Sequence, residues 1–194
     1  CTIPNMAVQN VTLLDVATRV LLANPSASLG EVAVAAGISR TTLHSRFPTR
    51  ETLLVAMAHE AMDMVETVYN ASGLADSESI DVVFGRLVEG LLPMGARIEL
   101  LLRERSLDSD EAVNERYDGL DRPLIDFVAG AQSRGEIVGD VPAWWVASAL
   151  LGTIYTAWEA VAGGRLAPRD APALVLRAVA VSYTHLRAHE TEAD

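Results

Sequence analysis

The sequence predicts an all-α fold of about nine helices, with an N-terminal three-helix unit followed by a larger helical bundle. Apolar residues recur at helical spacing along most of the chain, whereas the alternation typical of β-strands is weak. Residues that begin and end helices separate these stretches. Half of the 194 residues are hydrophobic and 21% are charged, so the chain can bury a sizeable core.

Boundary signals divide the first part of the chain into four helices. The predicted spans are a first helix that ends before Asn24-Pro25, a second from the capping box of Ser28 and Glu31 to Gly37, a third from Ser39 to about Arg46, and a long fourth after Thr49. The fourth helix is long enough to connect two lobes, because a helix rises 1.5 Å per residue.

The remaining helices are predicted from apolar periodicity and from the glycines and prolines between them. The predicted spans are 80–92, 95–107, 110–135 (either continuous or broken before Pro123), 142–162 and 171–181. Residues 141–158 carry no charge and could cover a bilayer. Pro142 opens this segment, and the acidic Asp140 and Glu159 flank it without a cationic anchor, which favours a buried helix of a soluble bundle and no membrane partner.

The negative charge of the chain is unevenly distributed. The formal net charge is -11, yet four arginines and four acidic residues balance one another in residues 1–60, so the excess lies in residues 61–194. Residues 40–50 contain three arginines and no acid. A local basic patch on an acidic body is compatible with DNA binding at one end of the molecule, because phosphate interactions are short-ranged at physiological salt.

Residues 31–47, EVAVAAGISRTTLHSRF, have the pattern of a helix-turn-helix. The apolar residues expected to pack the two short helices are Val32, Val34 or Ala35, Ile38, Leu43 and Phe47. Gly37 permits the tight turn between the helices. The second helix then exposes side chains suited to phosphates and base edges, namely Arg40, Thr41, Thr42, His44, Ser45 and Arg46. For Arg46, simple solvation and DNA contact are equally compatible with the pattern.

Residues 13–58 resemble the DNA-binding domain of the TetR/AcrR family. The resemblance rests on the turn A-x-x-A-G-[IV]-S, the recognition helix T-L-aromatic-x-x-F, and a basic residue that opens helix four. It implies that Thr42 contacts bases or phosphate, that Arg50 and Ser28 bind phosphates, and that His44 replaces a phosphate-binding tyrosine. Two features depart from the family pattern: His44 itself, and Asn24-Pro25 in place of the usual glycine after helix one.

Residues 135–168 resemble the penultimate helix of the same family and its approach. In that family the last two helices form a four-helix dimer interface. The small residues that would allow close helix approach are Ala149, Gly152, Thr153 and Thr156. The aromatic residues Trp144, Trp145, Tyr155 and Trp158 face either a pocket or the core.

The resemblance implies a ligand-responsive transcriptional repressor that binds a palindromic double-stranded operator as a homodimer. The expected domains are a DNA-binding domain at 1–49 and a ligand-binding and dimerisation domain at 50–181. A small apolar effector is expected among helices four to eight, with helix four as the lever. The expected pocket residues are Leu92, Met94, Leu101, Phe127, Tyr155 and Trp158. The alternative is a sensor or interaction protein of the same fold that does not bind operator DNA.

No catalytic residue, metal site or cofactor is expected, because the sequence lacks a nucleophile elbow, a phosphate-binding loop and a dinucleotide fingerprint. The only cysteine is Cys1 and no secretory signal is visible, so we expect a bacterial cytoplasmic protein, associated with the nucleoid through DNA. Residues 182–194 read like a translated sequencing adapter and are expected to form a non-native tail. His185 and His189 in this tail therefore carry no metal-site interpretation.

Overall fold

The structure is a computed structural model that describes residues 12–76, 78–137 and 139–184. All regular elements within these ranges are helical, which confirms the predicted all-α fold. The α-helices are α1 (Leu13–Ala23), α2 (Leu29–Ala35), α3 (Arg40–Arg46), α4 (Arg50–Ala71), α5 (Ile80–Leu91), α6 (Gly95–Arg103), α7 (Glu111–Leu120), α8 (Arg122–Ser133), α9 (Ala143–Ala162) and α10 (Ala171–Thr184). Short 3-10 helices occupy Leu92–Met94, Arg105–Ser109 and Pro168–Asp170.

The long segment expected at 110–135 is divided into two helices. Leu120 ends α7, and α8 begins at Arg122 with Pro123 in its first turn. Asp121 lies between them and is the N-cap of α8. Proline is accommodated in the first turn, where its missing N–H has no helical partner to lose. Of the two alternatives that the sequence allowed, the structure therefore has the helix broken before Pro123.

The chain divides into two compact units, Cys1–Met57 and Ala58–Asp194, whose boundary falls inside α4. The sequence placed the boundary before α4, at 49/50. The difference has a packing reason, since the first turns of α4 bury Leu53, Leu54 and Met57 in the core of the first unit.

Side-chain caps fix the short helices of the first unit. The Ser28 hydroxyl accepts from the Glu31 N–H at 3.2 Å, and the Glu31 carboxylate accepts from the Ser28 N–H at 2.7 Å, as the capping box predicted. Gly37 has φ +67°, in the left-handed region that favours glycine. The Ile38 N–H donates to the Ala33 carbonyl at 3.0 Å, which closes the end of α2.

The core of the first unit is small and aliphatic. Its fully or nearly fully buried side chains are Ala17, Leu21, Ala27, Val32, Ala33, Leu43, Leu53, Leu54 and Met57. The expectation that Val34 or Ala35 packs the helix-turn-helix is wrong, since Val34 is 81% exposed and Ala35 is exposed as well. Ala33 is buried instead. Helix α2 is so short that the turn at Gly37 determines which of its faces packs against the neighbouring helices.

In the second unit, α9 packs mainly against α8 and α10. The uncharged helix α9 buries Val146, Ala147, Leu150, Ile154 and Ala157 against α8 and α10. No helix among the described residues is long and apolar enough to cross a membrane. This agrees with the interpretation of residues 141–158 as a core helix.

The C-terminal helix α10 continues to Thr184, three residues past its expected end at Val181. The rest of the expected tail, with His185 and His189, lies outside the described residues.

Gly95, the first residue of α6, makes a close approach to Trp158 of α9. A Cβ atom added at Gly95 would overlap the indole of Trp158. The Trp158 ring in turn stacks on Tyr155, with ring centroids 5.7 Å apart and an interplanar angle of 28°. The missing side chain at Gly95 therefore leaves the space that the Trp158 indole occupies.

We expect Gly95→Ala to displace Trp158 and to lower the free energy of unfolding by about 1–3 kcal/mol, as overpacking does in well-packed cores. Urea denaturation followed by tryptophan fluorescence measures both effects. The matched control is Gly85→Ala in α5, where an added Cβ meets nothing within 4 Å. The control should be neutral or more stable by up to about 1 kcal/mol, because alanine is the better helix former. Equal stability of the two variants would show that Trp158 shifts without cost.

Candidate DNA-binding surface and effector cavity

Helix α3 is held by one side chain and exposes the rest. Leu43 is 0% exposed, whereas the other six residues of α3 lie on the surface. The exposed residues are Arg40, Thr41, Thr42, His44, Ser45 and Arg46. All six residues that the sequence singled out on this helix thus share one accessible surface. A helix with this arrangement can enter a DNA groove while Leu43 stays buried in the core of the first unit.

The beginning of α3 is capped by Ser39 and adjoins the beginning of α2. The Ser39 hydroxyl accepts from the Thr42 N–H at 3.0 Å and lies 2.7 Å from the Thr42 hydroxyl. The guanidinium carbon of Arg40 lies 3.9 Å from the position that a Cβ would take at Gly30. Arg40 therefore extends across the first turn of α2, which leaves Thr41 and Thr42 accessible beside it.

Ser28 has a structural task that the sequence had also anticipated. Its hydroxyl lies 2.8 Å from the Glu31 carboxylate, to which it donates. Hydrogen bonds from the Ser28 N–H and hydroxyl lower the pKa of Glu31, so this carboxylate stays charged at neutral pH. The single hydroxyl proton is thus used inside the capping box, and donation to a DNA phosphate requires it to leave Glu31.

Arg50, at the beginning of α4, binds the loop between α1 and α2. Its Nη1 donates to the Ala27 carbonyl and its Nη2 to the Pro25 carbonyl, both at 2.9 Å. The same loop is closed by Asn24, whose side-chain oxygen accepts from the Ser26 N–H at 3.1 Å. The turn at Asn24-Pro25, which departs from the pattern of the resembled family, is therefore fastened by the guanidinium of Arg50.

A mainly apolar cavity of about 140 Å³ lies within the second unit. Its lining residues are Ala61, Met62, Val65, Tyr69, Leu91, Ile98, Leu101, Tyr117, Leu120, Asp121, Leu151, Ile154 and Tyr155. Two of the expected pocket residues, Leu101 and Tyr155, are among them. The helices that supply this lining are α4, α5, α6, α7 and α9, together with the junction of α7 and α8.

Four expected pocket residues lie outside this lining. Met94 is buried and Leu92 is half-buried in the 3-10 helix after α5, where both pack in the core. Trp158 lies against Gly95 and stacks on Tyr155, which lines the cavity, but Trp158 itself does not line it. Phe127 lines a separate, more polar cleft of about 510 Å³ near Asp126. The sequence shows which residues are apolar or aromatic, but their positions on the packed helices determine which of them face the cavity.

One polar pair interrupts the apolar wall of the cavity. The Tyr69 hydroxyl donates to Asp121 Oδ1 at 2.7 Å, which joins α4 to the junction of α7 and α8. Burial raises the pKa of Tyr69 well above its ordinary range, and the Asp121 carboxylate adds to the rise. Tyr117 is only partly buried; this partial burial raises its pKa, and the charges of Asp121 and Asp118 add to the rise. Both phenols therefore remain protonated at neutral pH.

Sequence reasoning did not single out Tyr69, Tyr117 or Asp121. A signal for Tyr69 was present, since it follows the apolar positions Ala61 and Val65 at helical spacing on α4. No comparable signal marked Asp121, because a carboxylate at a helix junction usually serves as a cap. Its role depends on the tertiary contact with Tyr69.

The outer face of α9 is accessible and rich in small residues. Gly152 and Thr156 are exposed, and Ala149 and Thr153 are half-buried. The hydroxyls of Thr153 and Thr156 donate to the carbonyls of Ala149 and Gly152 at 2.7 and 2.8 Å, so this face offers methyl groups rather than free donors. All four expected interface residues thus lie on or beside one face.

Trp144 and Trp145 lie in the first turn of α9, outside both the core and the cavity lining. They are 52% and 53% exposed, with ring centroids 5.6 Å apart at 79°. On α10, Leu174 is 42% exposed. The expectation that these two tryptophans face a pocket or the core is therefore wrong.

Comparisons with known proteins agree with this architecture. No protein-family model matches the sequence. The chain is 27% identical over 152 residues to the HTH-type transcriptional repressor LfrR of Mycolicibacterium smegmatis, a match that covers 78% of each chain. A crystal structure of the TetR-like regulator LfrR from Mycobacterium smegmatis in complex with proflavine has a TM-score of 0.72 at 24% identity, over 86% of this chain and 91% of that one.

A second solved structure shows that the likeness extends to distant sequences. The TetR family regulator PfmR from Thermus thermophilus has a TM-score of 0.70 at 13% identity, over 87% of this chain and 95% of that one. The described helices therefore have the TetR fold, with an N-terminal helix-turn-helix and a helical second unit.

We expect Arg50→Ala to lower the free energy of unfolding by about 1–2 kcal/mol even without DNA, because two charge-assisted hydrogen bonds to the α1–α2 loop are lost. Urea denaturation of the DNA-free protein measures this change. The control is Arg40→Ala, which removes an exposed arginine and should change stability by no more than about 0.5 kcal/mol. If both variants are as stable as the wild type, Arg50 does not hold the loop.

Proposed function

We propose that this chain, a member of the TetR family of transcriptional regulators, represses transcription by binding a palindromic operator as a homodimer, and that a small effector releases it. The proposal rests above all on α3, where a single buried leucine supports six exposed polar residues in a helix-turn-helix. A cytoplasmic, nucleoid-bound location follows from this function.

In the proposed complex α3 lies in the major groove. Arg40 and Thr42 contact base edges, where an arginine can bind guanine through two hydrogen bonds. Thr41, His44 and Ser45 contact bases or the adjacent phosphates. Arg50 and Ser28 are assigned to phosphates at the flank, where Arg50 acts by charge while it holds the loop. The negative charge of residues 61–194 limits DNA contact to the first unit.

Dimerisation through α9 and α10 gives the operator its symmetry. Ala149, Gly152, Thr153 and Thr156 let two helices approach closely, and the exposed Trp145 adds a large apolar contact area. A twofold pair of recognition helices binds half-sites about 34 Å apart, one helical turn of DNA. A palindromic operator is the DNA counterpart of that symmetry.

The effector is assigned to the cavity in the second unit. The relative LfrR was crystallised with proflavine, which supports the idea that this fold holds small aromatic molecules. Four lining residues belong to α4, the helix that continues into the first unit. A ligand that binds more tightly to one arrangement of α4 shifts the population of DNA-binding protein by that difference in affinity.

The operator assignment is tested with DNA fragments selected from a random pool and measured by gel shift. Arg40→Ala and Thr42→Ala should each weaken binding to the selected operator by roughly tenfold to hundredfold, as loss of a base contact does. The control is Arg165→Ala, an exposed arginine in the loop after α9, which should bind as the wild type does.

Two outcomes would contradict this assignment. If both α3 variants bind like the wild type, α3 does not read the operator. If no fragment is selected at all, the chain is a sensor or interaction protein that retains the fold without operator binding.

The dimer assignment is tested by placing a charge on the outer face of α9. Gly152→Arg should shift the protein from dimer to monomer in sedimentation velocity and abolish tight operator binding, because a buried unpaired charge is costly. The matched control is Ala112→Arg on the exposed face of α7, which should remain dimeric. A dimer that survives Gly152→Arg would place the interface elsewhere.

A further inference from the structure

On the basis of the proposed effector site, we propose that the cavity binds an organic ammonium cation with a single aromatic ring, whose charge is held by Asp121 and the cavity tyrosines. Such a ligand differs from a purely apolar effector in its positive charge, in the carboxylate that recognises it and in its small size.

Three tyrosines share the cavity wall with the carboxylate. Tyr69 comes from α4, Tyr117 from α7 and Tyr155 from α9, so their rings approach from three helices. The Trp158 ring, which is not part of the lining, stacks on Tyr155. The faces of aromatic rings carry partial negative charge and attract cations, and such groups of rings recognise quaternary ammonium ligands. The wall therefore favours a cation over a neutral or anionic molecule.

Asp121 supplies the full negative charge. Its Oδ1 accepts from Tyr69, and no described arginine or histidine forms an ion pair with it. Neighbouring arginines are directed to other carboxylates. Arg122 binds Asp126 at 3.0 Å, and Arg116 binds Asp63 and Glu66 at 2.6 and 2.9 Å. Asp121 is half-buried, and the Tyr69 hydroxyl satisfies one of its oxygens without neutralising its charge, so a ligand cation can pair with it.

The rest of the cavity limits the size and polarity of the ligand. Met62, Leu91 and Ile154 are 2–3% exposed and form an apolar floor. Tyr117 is 58% exposed, so it lies where the cavity opens to solvent. The cavity volume of about 140 Å³ is close to that of engineered cavities that accept one benzene ring. A single ring on the floor, with an ammonium head at Asp121, meets all three constraints.

Phenyltrimethylammonium and its uncharged isostere tert-butylbenzene test the inference, because they differ in charge and hardly in shape. We expect the ammonium to bind at least roughly tenfold more tightly, a difference that cation–aromatic and carboxylate contacts can supply. Thermal shift at equal concentrations compares the two probes, and calorimetric titration gives the affinity of the ammonium. Added salt should weaken the ammonium alone, because it screens only a charge interaction.

Asp121→Asn removes the charge and retains an acceptor for the Tyr69 hydroxyl. The variant should lose most of the preference for the ammonium and bind tert-butylbenzene as before. The matched control is Asp126→Asn, which removes a carboxylate from the neighbouring cleft and should retain the preference. The salt dependence of the wild-type protein remains decisive if Asp121→Asn does not fold.

Equal binding of the two probes, or an ammonium affinity independent of both salt and Asp121, would overturn the inference. In that case a neutral effector remains compatible with the proposed function. The proposed function is measured separately, by gel shift of the selected operator with and without the ammonium. Binding of the ammonium at Asp121 that leaves operator binding unchanged would support the ligand class and contradict the effector response.

Discussion

The burial of one face of α4 is the constraint on which the rest of the structure depends. Its first turns contribute Leu53, Leu54 and Met57 to the small core of the first unit, and its later turns contribute Met62 and Val65 to the second unit. Neither core can form fully without this helix. The same helix carries Arg50, which binds the α1–α2 loop, and Tyr69, which donates to Asp121.

The sequence predicted the helices well because their boundaries are local. Ser28, Gly37 and Ser39 act within one turn of chain, and their cap and turn geometries appear as expected. The surface of α3 was predictable for the same reason, since one buried residue and the helical period determine which residues face outward. Val34 shows the limit of this reasoning: an apolar residue in a seven-residue helix has no second turn to establish which face is buried.

The cavity was predicted less completely because its walls come from distant parts of the chain. Tyr69 and Asp121 are separated by 52 residues and meet only when α4 packs beside the junction of α7 and α8. Contacts between helices also determine which of the predicted pocket residues Tyr155 and Trp158 faces the cavity. Gly95 leaves room for Trp158, so that Tyr155 lines the cavity and Trp158 does not. No pattern in one stretch of sequence records such a contact between two helices.

The position of the cavity also determines how a bound molecule could influence DNA binding. A ligand larger than the cavity must displace part of its wall, and close-packed helices move as units rather than deform locally. The wall includes two turns of α4 that begin shortly after the residues buried in the first unit. The Tyr69–Asp121 hydrogen bond joins these turns to the α7–α8 junction, so a ligand that moves Asp121 also acts on α4. In the proposed function, the response to a ligand therefore depends on how the ligand changes this hydrogen bond, as well as on how tightly it binds.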